Sequence, residues 1–449
     1  MIDYRTLRIA LLGAGSVGSQ VATLLLEHSD ELAQRVGARL VLSGIAVRDL
    51  ETDRGPGVPR ELLTTDAEEL IVGSDIVIEL MGGITPAREY ILLALRSGAD
   101  VITGNKALLA THGPELFDLA QQVGAQLYYE AAVGGAIPII RPLRDSLAGD
   151  RVQRILGIVN GTTNYILDRM DRGGDDLESA LAAATELGYA EADPTGDIEG
   201  YDAAQKAAIL AGLAFHTTVP IASVYREGIT GVRAEDVEAA RKAGYVVKLL
   251  AICERITDPE TGSEGVSARV YPALIPRDHP LAAVRGANNA VFVEAEAAGS
   301  LMFYGAGAGG RETASAVLGD LVSAARRHVI GGPGVAESTQ ADLPVFDIGK
   351  VSTRYRVSLS VADRPGVLAQ IARIFSDHGV SVEAVEQSVP NAPSAGIDAA
   401  ERRSGVEGTA TLVIGTHTAT EAALSATVAA LAGSESVVAV QSVLRVEGE

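Results

Sequence analysis

Residues 7–18 read Leu7-Arg8-Ile9-Ala10-Leu11-Leu12-Gly13-Ala14-Gly15-Ser16-Val17-Gly18. A short apolar run is closed by glycines spaced G-x-G-x-x-G, and Val21, Leu24, Leu25 and Leu26 follow at helical spacing. Strand, glycine turn and helix in that order form a dinucleotide-binding unit. The first glycine permits the tight turn, the second lets backbone approach a pyrophosphate, and the third allows close helix packing. N–H groups left free at the helix start then face the phosphates. Gly13, Gly15 and Gly18, with Ser16 and Val17 between them, are candidate cofactor contacts.

Further strands are predicted at 39–47, 75–80, 100–103 and 126–129, separated by helices that include 86–97 and 113–123. Strands alternating with helices make a doubly wound, parallel, Rossmann-type α/β sheet over residues 1–130. The second strand ends Val47-Arg48-Asp49. Arg48 could clamp a 2′-phosphate, which favours NADP, whereas Asp49 could take a ribose hydroxyl, which leaves NAD open. Past residue 130 the texture becomes mixed α+β, read as a substrate and dimerisation domain over 131–304. Residues 305–329 return to the first domain through a glycine run and a helix near 313–328. Residues 331–352 are rich in Gly, Pro and polar side chains and read as a linker. A βαββαβ pattern then restarts over 353–447, with a polar loop at 390–408, and forms a small separate domain.

The chain has 449 residues, 47% of them hydrophobic and 21% charged, which is a soluble globular profile with room for several domains. A net charge of −21 repels phosphate backbones and argues against nucleic acid as a partner. The single cysteine, Cys253, lies in an apolar run and excludes an internal disulfide framework. The seven histidines lack metal-ligand spacing. With neither a signal sequence nor a membrane-length apolar run, the expectation is a cytoplasmic protein without membrane association.

The chemistry concentrates at residues 188–206. An acidic, Gly/Pro-broken loop containing Glu191 and Asp197 leads into a helix that is apolar almost all round except for Asp202 and Lys206. Such a helix is buried, and the two charges, four apart, share one face of it. A buried ammonium needs a partner, so a site for a zwitterion and for proton transfer is expected here. Lys106 follows the fourth strand, at the carboxyl end where open parallel sheets bind ligands. Asn160-Gly161-Thr162-Thr163, at a strand-to-helix junction, offers hydroxyls and N–H groups to a carboxylate, although a plain N-cap explains one threonine equally well.

The glycine turn, Thr103-Gly104-Asn105-Lys106, the run Glu130 to Pro138, Asn160 to Asn164, the 188–206 stretch and Gly305-Ala306-Gly307-Ala308-Gly309-Gly310 resemble, in order, the homoserine dehydrogenase family. Asp363-Arg364-Pro365-Gly366-Val367-Leu368 resembles an ACT domain, an amino-acid-sensing module. The resemblance implies NAD(P)H-dependent, reversible reduction of L-aspartate 4-semialdehyde to L-homoserine, on the route to threonine, methionine and isoleucine. It implies Glu191, Asp197 and Asp202 around the substrate, Gly161 and Thr162 near its carboxylate, and Lys206 and Lys106 around the reacting oxygen. Lys206 is taken as the general acid, with Lys106 as the alternative. Gly188 and Gly305 match cofactor contacts. Backbone and carboxylate oxygens of Glu130, Val133, Gly135 and Ile137 match a sodium site. Glu312 departs from the family, which often carries proline there. Threonine is the expected effector, a homodimer or homotetramer the expected assembly, and a fused kinase is not expected. Two alternatives stay open: a dehydrogenase of another amino-aldehyde or amino acid, and a non-catalytic amino-acid-sensing protein.

Overall fold

The structure, a computed structural model, describes residues 5–258, 260–332, 334, 337, 339–388 and 408–448. Six parallel strands form a first sheet: β1 (Arg5–Leu12), β2 (Ala38–Ala46), β3 (Leu63–Thr64), β4 (Ile76–Glu79), β5 (Asp100–Thr103) and β6 (Leu127–Tyr128). Their order is β3-β2-β1-β4-β5-β6, so the winding reverses between β1 and β4 and opens a crevice at the carboxyl ends. Helices α1 (Ser16–Glu27), α2 (Ser29–Val36), α3 (Ala67–Val72), α4 (Ala87–Arg96) and α5 (Lys106–Val123) connect and flank them. The continuous apolar run of β1 is what a strand covered on both faces requires, and Ile9 to Leu12 are fully buried.

α5 begins at Lys106, seven residues before the predicted start. The Asn105 side chain caps it, accepting the Leu108 N–H at 3.2 Å. Gly113 and Pro114, which read as punctuation, lie inside the helix, where packing against the helix at 201–215 outweighs the hydrogen bond that proline forfeits. The two-residue β3 is too short to carry a period, and α2 begins in a polar stretch; neither was anticipated.

The second sheet contains β7 (Val152–Ile158), β8 (Tyr225–Arg226), β9 (Tyr245–Thr257), β10 (Glu264–Pro276), β11 (Asn288–Ala295) and β12 (Gly299–Ala306). Helices α6 (Gly161–Gly173), α7 (Leu177–Glu186), α8 (Thr195–Ile198), α9 (Tyr201–Phe215) and α10 (Ala234–Lys242) interleave with them. The alanines of α9 let it lie close on β9 and β10. The return helix, α11 (Gly310–Ile330), packs on α1 and starts against the glycine turn, with Gly310 close to the Ser16 carbonyl oxygen.

The C-terminal unit runs β13 (Ser352–Ala362), α12 (Val367–Asp377), β14 (Val382–Ser388), β15 (Thr409–Thr416), β16 (Ala419–Thr420), α13 (Glu421–Ala432) and β17 (Val437–Val446). It has its own apolar core, yet it is not detached. Its β17 pairs parallel with β10 (Ala273↔Arg445, Leu274↔Val446), and the Glu447 N–H reaches the Leu274 oxygen at 2.9 Å. One sheet therefore runs β12-β11-β7-β9-β10-β17-β13-β15-β14. An exposed strand edge is a template for pairing, and here the chain fills it with its own last strand. The described part of the linker is likewise fastened: Val266 donates to Pro344 O at 2.9 Å, and Tyr129 Oη donates to Glu337 at 2.9 Å. Val389 and most of the polar loop after it, through residue 407, lie outside the described residues. Among the described residues no helix is long and apolar enough to cross a membrane.

Candidate functional site

The glycine turn fits a dinucleotide. Gly13 has φ +97°, and a Cβ there would lie 2.8 Å from the Leu80 carbonyl oxygen. A Cβ on Gly18 would overlap the Gly13 carbonyl, whereas nothing lies within 4 Å of that position on Gly15. The open face at Gly15 is where backbone can approach a phosphate, and Ser16 and Val17 open α1 without a side-chain cap on its N–H groups. Gly18→Ala is expected to abolish saturable NADPH binding in a fluorescence titration and to lower stability by about 1–3 kcal/mol. Normal binding would contradict the close-packing role.

A cavity of about 630 Å³ extends from the turn, lined by residues that include Gly13, Gly15, Arg48, Asp49, Arg54 and Thr85. Asp49 is turned into its own loop, accepting from Thr52 Oγ1 at 2.7 Å and from the Glu51 N–H at 2.9 Å. Those bonds hold its carboxyl below the usual range. Arg54 donates to the Asp49 and Thr52 carbonyls at 2.6 and 2.7 Å and brings a second cation to the cavity. Sequence reading missed Arg54 because it follows β2 by several irregular residues and matches no spacing rule.

At the other end of the crevice, buried Glu79 accepts the Met81 and Gly82 N–H groups at 2.8 and 3.2 Å and Thr103 Oγ1 at 2.7 Å. Asn105 Nδ2 donates to Gly83 O at 2.6 Å. These bonds fix the ends of β4 and β5, and with them Lys106, the first residue of α5. Lys106 Nζ stands 3.2 Å from Asp202 Oδ1. Lys206 Nζ donates to the other oxygen, Asp202 Oδ2, at 2.6 Å and to Val159 O at 2.7 Å. One carboxylate thus joins a lysine from each domain.

Burial works against ionisation of Asp202, but the Lys206 and Lys106 ammonium groups and hydrogen bonds from Lys206 and Asn160 outweigh it and hold the carboxyl at about 2. Asp197 goes the other way: burial pushes its carboxyl up, although Asn160 bonds to it. Asn160 Nδ2 reaches both acids, at 2.6 Å to Asp197 Oδ1 and 3.0 Å to Asp202 Oδ2, while its Oδ1 caps α6 through the Thr163 N–H at 2.9 Å. The sequence allowed one of the threonines as the cap; the structure gives the capping to Asn160, and its bridging of the two acids was not legible. Lys206 is nearly buried, its side chain 11% exposed, against 39% for Lys106. An ammonium has three donors, so Lys206 keeps one beyond these two bonds.

The remaining sequence candidates divide. Gly161 opens α6, and a Cβ there would lie 2.6 Å from the Ala287 oxygen; Thr162 Oγ1 donates to Tyr189 O at 2.7 Å. Glu191 is exposed in the loop before α8 and has no hydrogen bond or ion pair among the described residues, so the structure does not bring it onto the lysines. Gly188 ends α7 with φ +74°, and Gly305 lies on β12 against Ile137. Glu312 is an acid in the first turn of α11, a favourable place for negative charge. The sodium expectation, which covered backbone and carboxylate oxygens, narrows at Glu130 to the backbone oxygen. The Glu130 carboxylate accepts the N–H groups of Ile139, Ile140 and Arg141 at 2.6, 2.8 and 3.0 Å and Arg141 Nε at 2.8 Å. Four such bonds saturate it, so it does not fit as a metal ligand; only main-chain carbonyls of this segment, which include those of Val133, Gly135 and Ile137, suit a hard cation. No group of three or more His, Cys, Asp or Glu that could hold a metal ion occurs among the described residues.

Three family models match: "Homoserine dehydrogenase, NAD binding domain" over residues 13–130, "Homoserine dehydrogenase" over 138–322, and "ACT domain" over 355–398. A homoserine dehydrogenase of Mycobacterium tuberculosis is 57% identical over 448 residues, 99% of each chain. The solved structure of a homoserine dehydrogenase from Thiobacillus denitrificans superposes with a TM-score of 0.89 at 37% identity, covering 99% of each chain. A hyperthermophilic archaeal homoserine dehydrogenase in complex with NADPH superposes at 0.59 and 28% identity, over 74% of this chain and 99% of that one.

Proposed function

Because the chain belongs to the homoserine dehydrogenase family, we propose that Lys206, Asp202 and Lys106 carry the family's reduction of L-aspartate 4-semialdehyde to L-homoserine. The chain is an oxidoreductase acting on a CH–OH group, with an NAD(P)-binding domain and a C-terminal ACT domain. The observation that carries the residue assignment is the single, largely buried carboxylate gripping two ammonium groups at the carboxyl ends of the parallel strands. When bound, the dihydronicotinamide supplies the hydride. Lys206 gives a proton to the carbonyl oxygen as it becomes a hydroxyl, through the donor left over from Asp202 and Val159. Lys106 polarises the same oxygen. Asp202, ionised at every working pH, keeps both lysines in place and, with Asp197, attracts the substrate ammonium. Glu191, exposed in the loop before α8 and without an ion pair among the described residues, is a further carboxylate for that ammonium. The first N–H groups of α6, at Gly161 and Thr162, receive the substrate carboxylate. The test is NADPH oxidation by the full chain with L-aspartate 4-semialdehyde, with homoserine identified as product; absence of turnover would refute it.

For the cofactor we propose NADP over NAD. Arg48 and Arg54 line the cavity beyond β2, and Asp49, the acid that would hold ribose hydroxyls, is engaged in its own loop. The archaeal relative with NADPH supports the same choice. Arg48→Glu is expected to lower the NADPH-to-NADH ratio of kcat/KM by about tenfold or more, the worth of one lost charge-assisted bond. An unchanged ratio would leave the phosphate to Arg54 or point to NAD.

Main-chain oxygens of Glu130, Val133, Gly135 and Ile137 would hold a sodium ion that fastens this turn to the end of β12, where Ala136 already donates to Ala306 O at 3.0 Å. Threonine is the effector proposed for the ACT domain, and a homodimer or homotetramer the assembly. Threonine titration of the full chain and light scattering test these two.

A further inference from the structure

The acids at the substrate end are supported from behind by residues 225–229. On one side this segment belongs to the second sheet: β8 pairs with β10, and the Glu227 N–H donates to Val270 O at 2.8 Å. On the other side it grips the turn that carries Asp197. The Ile229 N–H donates to Ile198 O at 2.7 Å. Gly228 is pressed so close that a Cβ would overlap Ile198 O and lie 2.5 Å from Glu199 Cα. Arg226 donates to Glu199 O, and its guanidinium lies 3.6 Å over the ring of Tyr201, the first residue of α9. Asp197 sits in α8 and Asp202 in the first turn of α9, so one short segment locates both.

The segment is itself held by the end of the chain. Arg445, on β17, donates to both oxygens of Glu227 at 2.9 Å each. The same guanidinium donates twice to Glu421, at 2.6 and 3.1 Å, and stacks 4.4 Å from the ring of Tyr271 on β10. Tyr355 Oη completes the group, donating to Glu421 at 2.6 Å. Arg445 is 7% exposed, against 39% for Glu227. A planar fork bonded at both ends fixes distance and angle together, which a lysine cannot do.

We propose that Arg445 is a positioning residue for the substrate site: through Glu227 it sets residues 225–229 and hence the Asp197 and Asp202 carboxylates. The C-terminal unit is then part of the scaffold that forms the site, as well as a module beside it. The inference rests on the reading of those two acids as substrate contacts. Displacement of such a support acts on substrate capture while sparing a cofactor held on the other sheet.

The test uses two full-length variants, Glu227→Gln and Arg445→Lys, with steady-state kinetics in both substrates and an NADPH titration. In each, KM for the semialdehyde is expected to rise about tenfold, with a smaller fall in kcat because Asp202 also aligns the two lysines, and NADPH affinity unaltered, as networks of this kind transmit. The double variant should be no worse than either single one, because the pair acts as a unit. Glu227→Gln leaves Arg445 paired with Glu421, so a folded protein is available even if Arg445→Lys melts early. An unchanged KM in folded Glu227→Gln, or equal losses in kcat and NADPH affinity, would overturn the proposal. Asp202→Asn separates the two levels: if it is impaired while Glu227→Gln is not, only the positioning role fails; if Asp202→Asn is itself unimpaired, the site reading fails.

Discussion

Lys206→Ala is expected to lower kcat for semialdehyde reduction by about 10³-fold, within the range for loss of a placed general acid, with NADPH binding unchanged. The expectation follows from how the ammonium is held. Two of its donors are fixed, on Asp202 Oδ2 and Val159 O, which leaves one aimed by the other two. Water entering the space left by alanine would have neither that orientation nor that charge. The cofactor turn lies on the other sheet and shares no hydrogen bond with Lys206, so its affinity is a control. Lys106→Ala should cost less, about tenfold to a hundredfold, because its half-exposed ammonium polarises the oxygen without donating the proton. A Lys206→Ala enzyme retaining a tenth or more of kcat would move the acid role to Lys106.

Asp202→Asn is the second large effect. It removes the counter-charge of both lysines while keeping the shape, and kcat/KM is expected to fall by about 10²- to 10³-fold through lost alignment of both. It should also destabilise the fold by about 3 kcal/mol, since the nearly buried Lys206 is left without its partner. The sign of the pH dependence is determined by the lowered carboxyl. Its folded value of about 2 lies below the ordinary 3.8, so the stability it contributes is complete above 3.8 and disappears as pH falls through about 2. Acid unfolding of Asp202→Asn should therefore be flatter than that of the parent across this window. Parallel acid-unfolding curves would show that the ion pair has no such weight.

Much of this was legible in the sequence, for reasons that differ by residue. The turn at Gly13 to Gly18 was, because at Gly13 and Gly18 close approach of main chains leaves glycine no substitute, and the spacing records it. The Asp202–Lys206 pair was, because two charges on an otherwise apolar helix must meet each other. Lys106 could be assigned to the crevice from topology alone, but nothing in the sequence says that it meets the same carboxylate as Lys206 from another domain. A cap before α6 was legible, though it was given to a threonine and belongs to Asn160; the bridge was illegible, since its partners lie 37 and 42 residues away. The saturation of Glu130 was hidden for a related reason: its four donors come from a turn whose shape depends on packing. The joining of β17 to β10 was likewise invisible, because a two-residue pairing has no period and the Gly/Pro-rich stretch before it reads as a spacer. Arg445 and Glu227, 218 residues apart, come together only through that joining.

The most direct test of the central assignment is a single-turnover experiment. Enzyme preloaded with NADPH is mixed with saturating L-aspartate 4-semialdehyde, and NADPH absorbance is followed through the first turnover, which separates chemistry from product release. Lys206→Ala is expected to show full NADPH occupancy and a first-turnover rate about 10³-fold below the parent, with homoserine as the product of both. A first turnover in Lys206→Ala within about fivefold of the parent, at equal occupancy, would contradict the role of Lys206 as the acid, since a lost placed acid costs at least about a hundredfold.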